Sequence, residues 1–314
     1  MRARNPSLIA ETALALREIL RWLLPAAALV VLLFTLVVSR GTLSLGGYGV
    51  ALAAALVAVA VLSRRRGQGR LWALYLVGFI VFAHLRALTD ETGIAVQTQY
   101  VIDIEEALFF GVTPTVWLQE RLFRGDIGPL EMLSSLVYVT YFLAPHVAAL
   151  LIWRYRPGLF KRFVVAVLGV VYVGLLVSLV LPTTPPWLAA GEGALPAVAR
   201  VVRLTLLDLN GSADTAYEVV GPNAVAAMPS LHMALTVLIL AATWGHGRLR
   251  VAAGLYSVAM GFALVYGAEH YVTDLLAGAV VGLAVWRGAR MLEPAVGDRA
   301  LVRIGPVARR HEAA

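Results

Sequence analysis

Long apolar runs alternate with short polar clusters along this chain, at 22–39, 46–62, 71–88, 131–152, 163–181, 229–245, 250–268 and 271–291. A bilayer-crossing helix needs about 20 mostly apolar residues. The pattern therefore predicts an all-α polytopic membrane protein with about eight transmembrane helices. Three further stretches are amphipathic and predict helices lying at the membrane surface. Residues 7–21 set Leu8, Ile9, Leu16, Ile19 and Leu20 against Glu11, Arg17 and Glu18. Residues 97–124 carry Tyr100, Asp103, Glu105, Glu106, Leu108 and Phe109, with a break at Pro114. Residues 196–209 space Val198, Val201, Val202 and Leu206 at helical intervals around Arg200 and Arg203.

These elements divide the chain into an N-terminal surface helix with three spans (1–95), an outer amphipathic segment (96–130), a core of spans (131–291) and a basic tail (292–314). The core holds one long outer connection, 182–228. Connections of that length serve as binding elements or lids, or are disordered.

Composition agrees with this reading. Sixty per cent of the residues are hydrophobic and 14% charged, and the mean hydropathy is +0.80. Cysteine is absent, which excludes disulfides, thiolate metal sites and CxxC redox chemistry. The net charge of +7 does not imply nucleic acid, because the basic residues sit in short loops between apolar runs. With a cytoplasmic N-terminus, only Arg40, Arg86, Arg121, Arg124, Arg200 and Arg203 of the 26 Arg and Lys fall on the outer side. That bias predicts both termini inside. Charges and a second span follow the first apolar run, so it does not read as a cleaved signal peptide. The Ala, Val, Leu and Arg usage resembles that of a high-GC bacterium, which places the chain in a plasma (inner) membrane. Nothing in the sequence sets an oligomeric state.

The candidate chemistry lies at the outer ends of three predicted spans. Met228-Pro229-Ser230-Leu231-His232 reads as a helix start, with proline at the first helical position. First-turn N–H groups there, with the Ser230 hydroxyl, would make a phosphate seat that includes Leu231. The other reading is a capped helix with an interfacial histidine. Thirty-eight residues on, His270 and Asp274 are four apart, which puts them on one helix face. A carboxylate beside an imidazole fixes its tautomer and raises its basicity, or simply forms an ion pair. The two motifs on one membrane face are more specific than either alone. His84, His146, His246 and His311 show no such pattern.

Asn223-Ala-Val-Ala-Ala-Met-Pro-Ser-Leu-His232, with Gly267-Ala-Glu-His-Tyr-Val-Thr-Asp274-Leu-Leu-Ala-Gly278, resembles the type 2 phosphatidic acid phosphatase superfamily. The likeness is to the branch that includes the fungal inositol phosphorylceramide synthases. Pro182-Thr-Thr-Pro-Pro-Trp187 is similar to that branch's Pro-Pro element, and Leu108 to Gln119 is similar to segments of actinobacterial members. The resemblance covers roughly 100–291 and implies a helical-bundle phosphatase-like core. It also implies roles: His270 as the nucleophile that becomes phosphohistidine, Asp274 as its orienting partner, and His232 as acid and then base. No metal or cofactor is expected. The implied partners are a membrane lipid, either a phospholipid or a polyprenyl phosphate, and a small alcohol or lipid hydroxyl as acceptor.

The chain departs from the superfamily's broad pattern. Leu181 precedes Pro182, Ala263 and Leu264 stand where phosphatases carry Ser-Arg, and Leu231 replaces the usual glycine. These losses fit the phosphotransferase branch and leave a phosphate short of cations. Arg200 and Arg203 are the nearest candidates, with Arg86 and Arg121 behind them. Glu269, Asp103 and Tyr266 are candidate contacts to an acceptor, each also readable as structural. A phosphatase using water is the closest alternative. A polyprenyl-dependent glycosyltransferase, with Asp103 or Glu105 as its acid, a transporter and an inert scaffold stay open. A CDP-alcohol phosphotransferase would need an Asp cluster that the chain lacks.

Overall fold

The computed structural model describes residues 68–87, 93–209 and 224–291. The expected surface helix 7–21, spans 22–39 and 46–62, and tail 292–314 lie outside the described residues. The described residues form helices joined by turns and loops, and their pairing outside helices is limited to isolated bridges joining Gln97, Thr183 and Ala226. In chain order the helices are α1 (Gly69–Ala87), α2 (Gln99–Leu108), α3 (Pro114–Leu122), α4 (Pro129–Thr140), α5 (Ala144–Tyr155), α6 (Pro157–Val180), α7 (Pro186–Gly191), α8 (Val201–Leu209), α9 (Leu231–Thr243), α10 (Gly247–Tyr266) and α11 (Val272–Met291).

The chain divides into two compact units, residues 1–77 with 209–222 and residues 78–208 with 223–314. The described part of the first is little more than the start of α1, where Trp72 and Tyr75 meet edge to face at 5.7 Å. The second unit carries all the candidate site residues.

Three described helices, α6, α10 and α11, are long and apolar enough to cross a membrane, and the bent pair α4–α5 makes a fourth if it is one span. These apolar helices mark a multi-pass membrane protein, but not eight spans. Two of the predicted spans fall among undescribed residues. The expected span 229–245 is realised as α9, whose 13 residues rise only about 20 Å, short of a hydrocarbon core of about 30 Å. The expected span 131–152 breaks at Tyr141–Leu143, where the axis turns by 51°. Pro145 follows at the start of α5. Its ring cannot continue the preceding helix and its missing N–H costs nothing in a first turn.

The core of the second unit sits where α6, α9 and α11 meet, around Phe160, Phe163, Val167, Val170, Leu235 and Leu238. Outward faces carry Leu136, Leu176, Leu255, Val258 and Val280, the apolar surface that lipid covers in such bundles. The expected amphipathic segment forms as α2 and α3, with Pro114 in the first turn of α3. The expected helix over 196–209 begins later, as α8 at Val201. His146 packs on Phe79 (ring centroids 4.9 Å), a structural placement.

Two polar ties hold the connecting segments to the bundle. One is a small backbone ladder: Gln97 N–H donates to Pro182 O (2.8 Å), Thr183 N–H to Val225 O (2.7 Å), and Ala227 N–H to Thr183 O (3.1 Å). The other is Gln119, which is buried. Its amide nitrogen donates to Ala199 O (2.8 Å) and Tyr266 O (2.7 Å), and its oxygen accepts from Ala199 N–H (2.7 Å). Gln119→Ala strands these backbone groups, each costing about 1–3 kcal/mol when buried and unpaired. A loss of about 2–4 kcal/mol is expected, measurable as a lowered unfolding midpoint in detergent.

Candidate active site

The first motif forms differently from the sequence expectation. Helix α9 starts at Leu231, and Pro229, joined to Met228 by a cis peptide bond, lies ahead of it. Ser230 is the N-cap, and its hydroxyl accepts from Met233 N–H at 3.3 Å. A serine side chain satisfies an orphan donor of the first turn, a task proline cannot perform, and so takes the cap position. Leu231 turns its side chain onto α6, where it packs against Gly174. The N–H groups of Leu231 and His232 belong to the first turn and have no helical carbonyl four residues back.

The second motif straddles a turn. At the end of α10, Glu269 and His270 both donate backbone N–H to Leu264 O (3.0 and 3.2 Å). Ala268, in the left-handed region at φ 61°, makes this reversal possible at a cost a glycine would not bear. His270 therefore precedes α11, and Asp274 lies in its first turn. The carboxylate folds back: Asp274 Oδ2 accepts from Tyr271 N–H at 2.9 Å and contacts His270 Nδ1 at 3.3 Å. Asp274 is fully buried and His270 nearly so.

The two motifs meet. His270 Nε2 is 3.3 Å from His232 Nδ1, and Ser230 N–H donates to Asp274 O at 3.0 Å. Close approach of α9 and α11 depends on Gly278 and Gly282, where a Cβ would come within 2.2 Å of Ser230 O and 2.5 Å of Ala234 O. This Gly-x-x-x-Gly spacing lets two helix backbones touch. Behind His232 lies the α4–α5 break: the ring packs at a tilt against Tyr141 (centroids 3.9 Å) and Tyr138 (4.8 Å). Arg86 lies near enough for its charge to act on both Tyr141 and His232.

With Asp274 as a carboxylate, the Asp274–His270–His232 line orders the proton positions. An ionised carboxylate only accepts, so His270 donates from Nδ1 and keeps a lone pair on Nε2. His232 then donates from Nδ1. The result is an imidazole lone pair facing a ring N–H.

The other sequence candidates distribute unevenly. Arg200 is bound by Glu269 through Nε to Oε1 at 2.9 Å and Nη2 to Oε2 at 3.4 Å, and its guanidinium lies 4.1 Å over Trp187. Both therefore sit beside His270 as a mutual ion pair. Arg203 points outward on α8. Asp103 is exposed on α2 and accepts from Gln99 Nε2 at 2.8 Å, away from the buried Val101, Ile102 and Glu105 side. Tyr266 donates its hydroxyl to Glu131, which also accepts from Gly128 N–H at 2.9 Å. Sequence reasoning missed Tyr138, Tyr141, Glu131 and Gln119. The two tyrosines are three apart at the end of α4 and in the break that follows it, a usable signal, but nothing in the sequence aims them at His232.

Comparison with known proteins bears on this geometry. The family profile described as PAP2 superfamily matches residues 99–287, the segment that builds the histidine line. The inositol phosphorylceramide synthase of Candida albicans (strain SC5314 / ATCC MYA-2876) is 25% identical over 172 residues, covering 51% of this chain and 36% of that protein. The chain thus matches little more than a third of that relative's length. No solved structure matches. A profile spanning more than half the chain, from α2 through α11, places it in a family, and the chain belongs to the PAP2 superfamily.

Proposed function

We propose that this protein is a membrane lipid phosphotransferase that moves a phospho-polyol headgroup, inositol phosphate-like, from a lipid to a hydroxyl acceptor through a phosphohistidine. The observation that carries the reading is the buried line Asp274–His270–His232, with 3.3 Å at each contact. The similarity to an inositol phosphorylceramide synthase supports the polyol assignment.

The steps follow from the proton positions. His270 Nε2 attacks phosphorus as the donor lipid's P–O bond breaks, and His232, entering this step as the imidazolium, gives its Nδ1 proton to the departing alkoxide and is left neutral. Asp274 stabilises the charge that develops on the His270 ring. The acceptor hydroxyl then passes its proton to His232 as its oxygen attacks phosphorus, the P–N bond breaks, and neutral His270 returns. First-turn N–H groups of α9 are suited to the phosphoryl oxygens. The excess of basic residues on one set of loops supports a plasma-membrane orientation with both termini cytoplasmic and the site extracytoplasmic.

Purified protein in lipid vesicles containing a headgroup-labelled phospho-polyol lipid and EDTA is the direct test. Label transferred to an added lipid alcohol is the expected result. Label released only to water would replace transferase with phosphatase, and turnover lost in EDTA would overturn the metal-independent mechanism.

A further inference from the structure

A carboxyl group with no part in that exchange lies directly behind the nucleophile. Glu105 is completely buried on the inward side of α2. Its Oε1 accepts from Thr273 N–H at 2.7 Å and from Thr273 Oγ1 at 2.6 Å. Thr273 is the residue before Asp274 in the first turn of α11. A first-turn N–H is ordinarily satisfied by a side chain just upstream in the same chain segment. Here the acceptor comes from another helix, 168 residues away in sequence. The second oxygen, Oε2, is buried with no hydrogen-bond partner among the described residues, as are the Tyr271 hydroxyl and Asp274 Oδ1. Burying so many acceptors is costly unless the arrangement performs a task.

We infer that Glu105 is a positioning residue of the phosphotransfer site: by gripping Thr273 from α2, it fixes the first turn of α11 and so holds the Asp274 carboxylate against His270. The inference deepens the proposed function and rests on it. It also ties the amphipathic segment α2 to the nucleophile. Burial pushes the Glu105 carboxyl above the usual carboxylate range, the Thr273 donations oppose this, and the Asp274 charge adds to it. A neutral carboxyl keeps Oε1 as acceptor for both Thr273 donors, and so does the carbonyl of a glutamine.

The test uses the full chain in lipid, with Glu105→Ala, Glu105→Gln, Glu105→Asp and Thr273→Val beside wild type and Asp274→Asn. In the headgroup-transfer assay, Glu105→Ala should lower kcat by about tenfold or more, by analogy with residues that orient metal ligands from behind, with KM little changed. Glu105→Gln should retain wild-type turnover. Glu105→Ala combined with Thr273→Val should be no worse than Glu105→Ala alone. A second readout needs no turnover: the rate at which diethylpyrocarbonate acylates His270 at pH 8, followed by peptide mass spectrometry. Glu105→Ala should slow it as Asp274→Asn does, and Glu105→Gln should not. Wild-type acylation in Glu105→Ala overturns the positioning role, whatever happens to kcat. If Glu105→Ala does not fold, Glu105→Asp, too short to reach Thr273, and Thr273→Val carry the comparison, and wild-type values in both overturn it. Absence of His270-dependent turnover in the wild type would defeat the proposed function, while the acylation rates would still decide the role of Glu105.

Discussion

His270→Ala is expected to remove phosphotransfer by roughly 10⁴-fold or more, the scale of losing a nucleophile from a coupled catalytic unit. The size follows from its position. Among the described residues, His270 contacts both Asp274 and His232, so in the proposed mechanism its loss removes the attacking nitrogen and leaves the acid facing nothing. The single substitutions should therefore fail to add. His232→Ala with His270→Ala should be no worse than His270→Ala alone, because residues that act as one unit lose the whole function together. Asp274→Asn should retain the fold's backbone tie through Asp274 O to Ser230 N–H yet lose most turnover. An asparagine can offer His270 Nδ1 a donor in place of the acceptor, which favours the wrong tautomer. Headgroup transfer by purified variants checks all three, with the amount of folded protein measured on the same samples. His270→Ala at wild-type rates would sink the phosphohistidine mechanism.

The residues that the proposed mechanism uses stand out in the sequence because each lies within a short local motif. Ser230, Leu231 and His232 mark one helix start, and the spacing of His270 and Asp274 pairs the two, although His270 lies ahead of α11 and not on its face. The long apolar helices α6, α10 and α11 were equally legible, since apolar length is a local property. What the sequence did not carry was pairing across distance. Arg200 read as a free cation for phosphate, but Glu269 and Trp187 hold it. Tyr266 read as an acceptor contact, but Glu131, 135 residues away, takes its hydroxyl. Glu105 read as a surface acid on an amphipathic helix, yet it is fully buried against Thr273. Helical periodicity tells which face of α2 turns inward, but not which donor waits there. The α4–α5 break was hidden for a related reason. The run 131–152 is mostly apolar, and Pro145 is the residue that hints that the axis turns.

Gly278 carries the second large prediction, because the geometry of two histidines on separate helices depends on a contact with no side chain in it. A Cβ built there would lie 2.2 Å from Ser230 O, 3.1 Å from Ser230 C and 3.3 Å from Ser230 N. All three are backbone atoms, so no rotamer change relieves the clash and the start of α9 must move. Overpacking of this kind costs typically about 1–3 kcal/mol. The functional loss should be larger than that figure suggests. Ser230 immediately precedes Leu231 and His232, and a displacement of about 1 Å between reacting groups can cost about 10²-fold in rate. Gly278→Ala is thus expected to lower the unfolding midpoint modestly and turnover by roughly two orders of magnitude. Gly261→Ala is the control: its Cβ would meet the Met233 methyl at 3.1 Å and Leu275 Cδ2 at 3.4 Å, both ends of flexible side chains that can shift. It should leave turnover near wild type. If Gly278→Ala and Gly261→Ala behaved alike, the close α9–α11 contact would not set the distance between His232 and His270, and the buried histidine line would have to be held by the Ser230–Asp274 backbone bond and the tyrosines of the α4–α5 break instead.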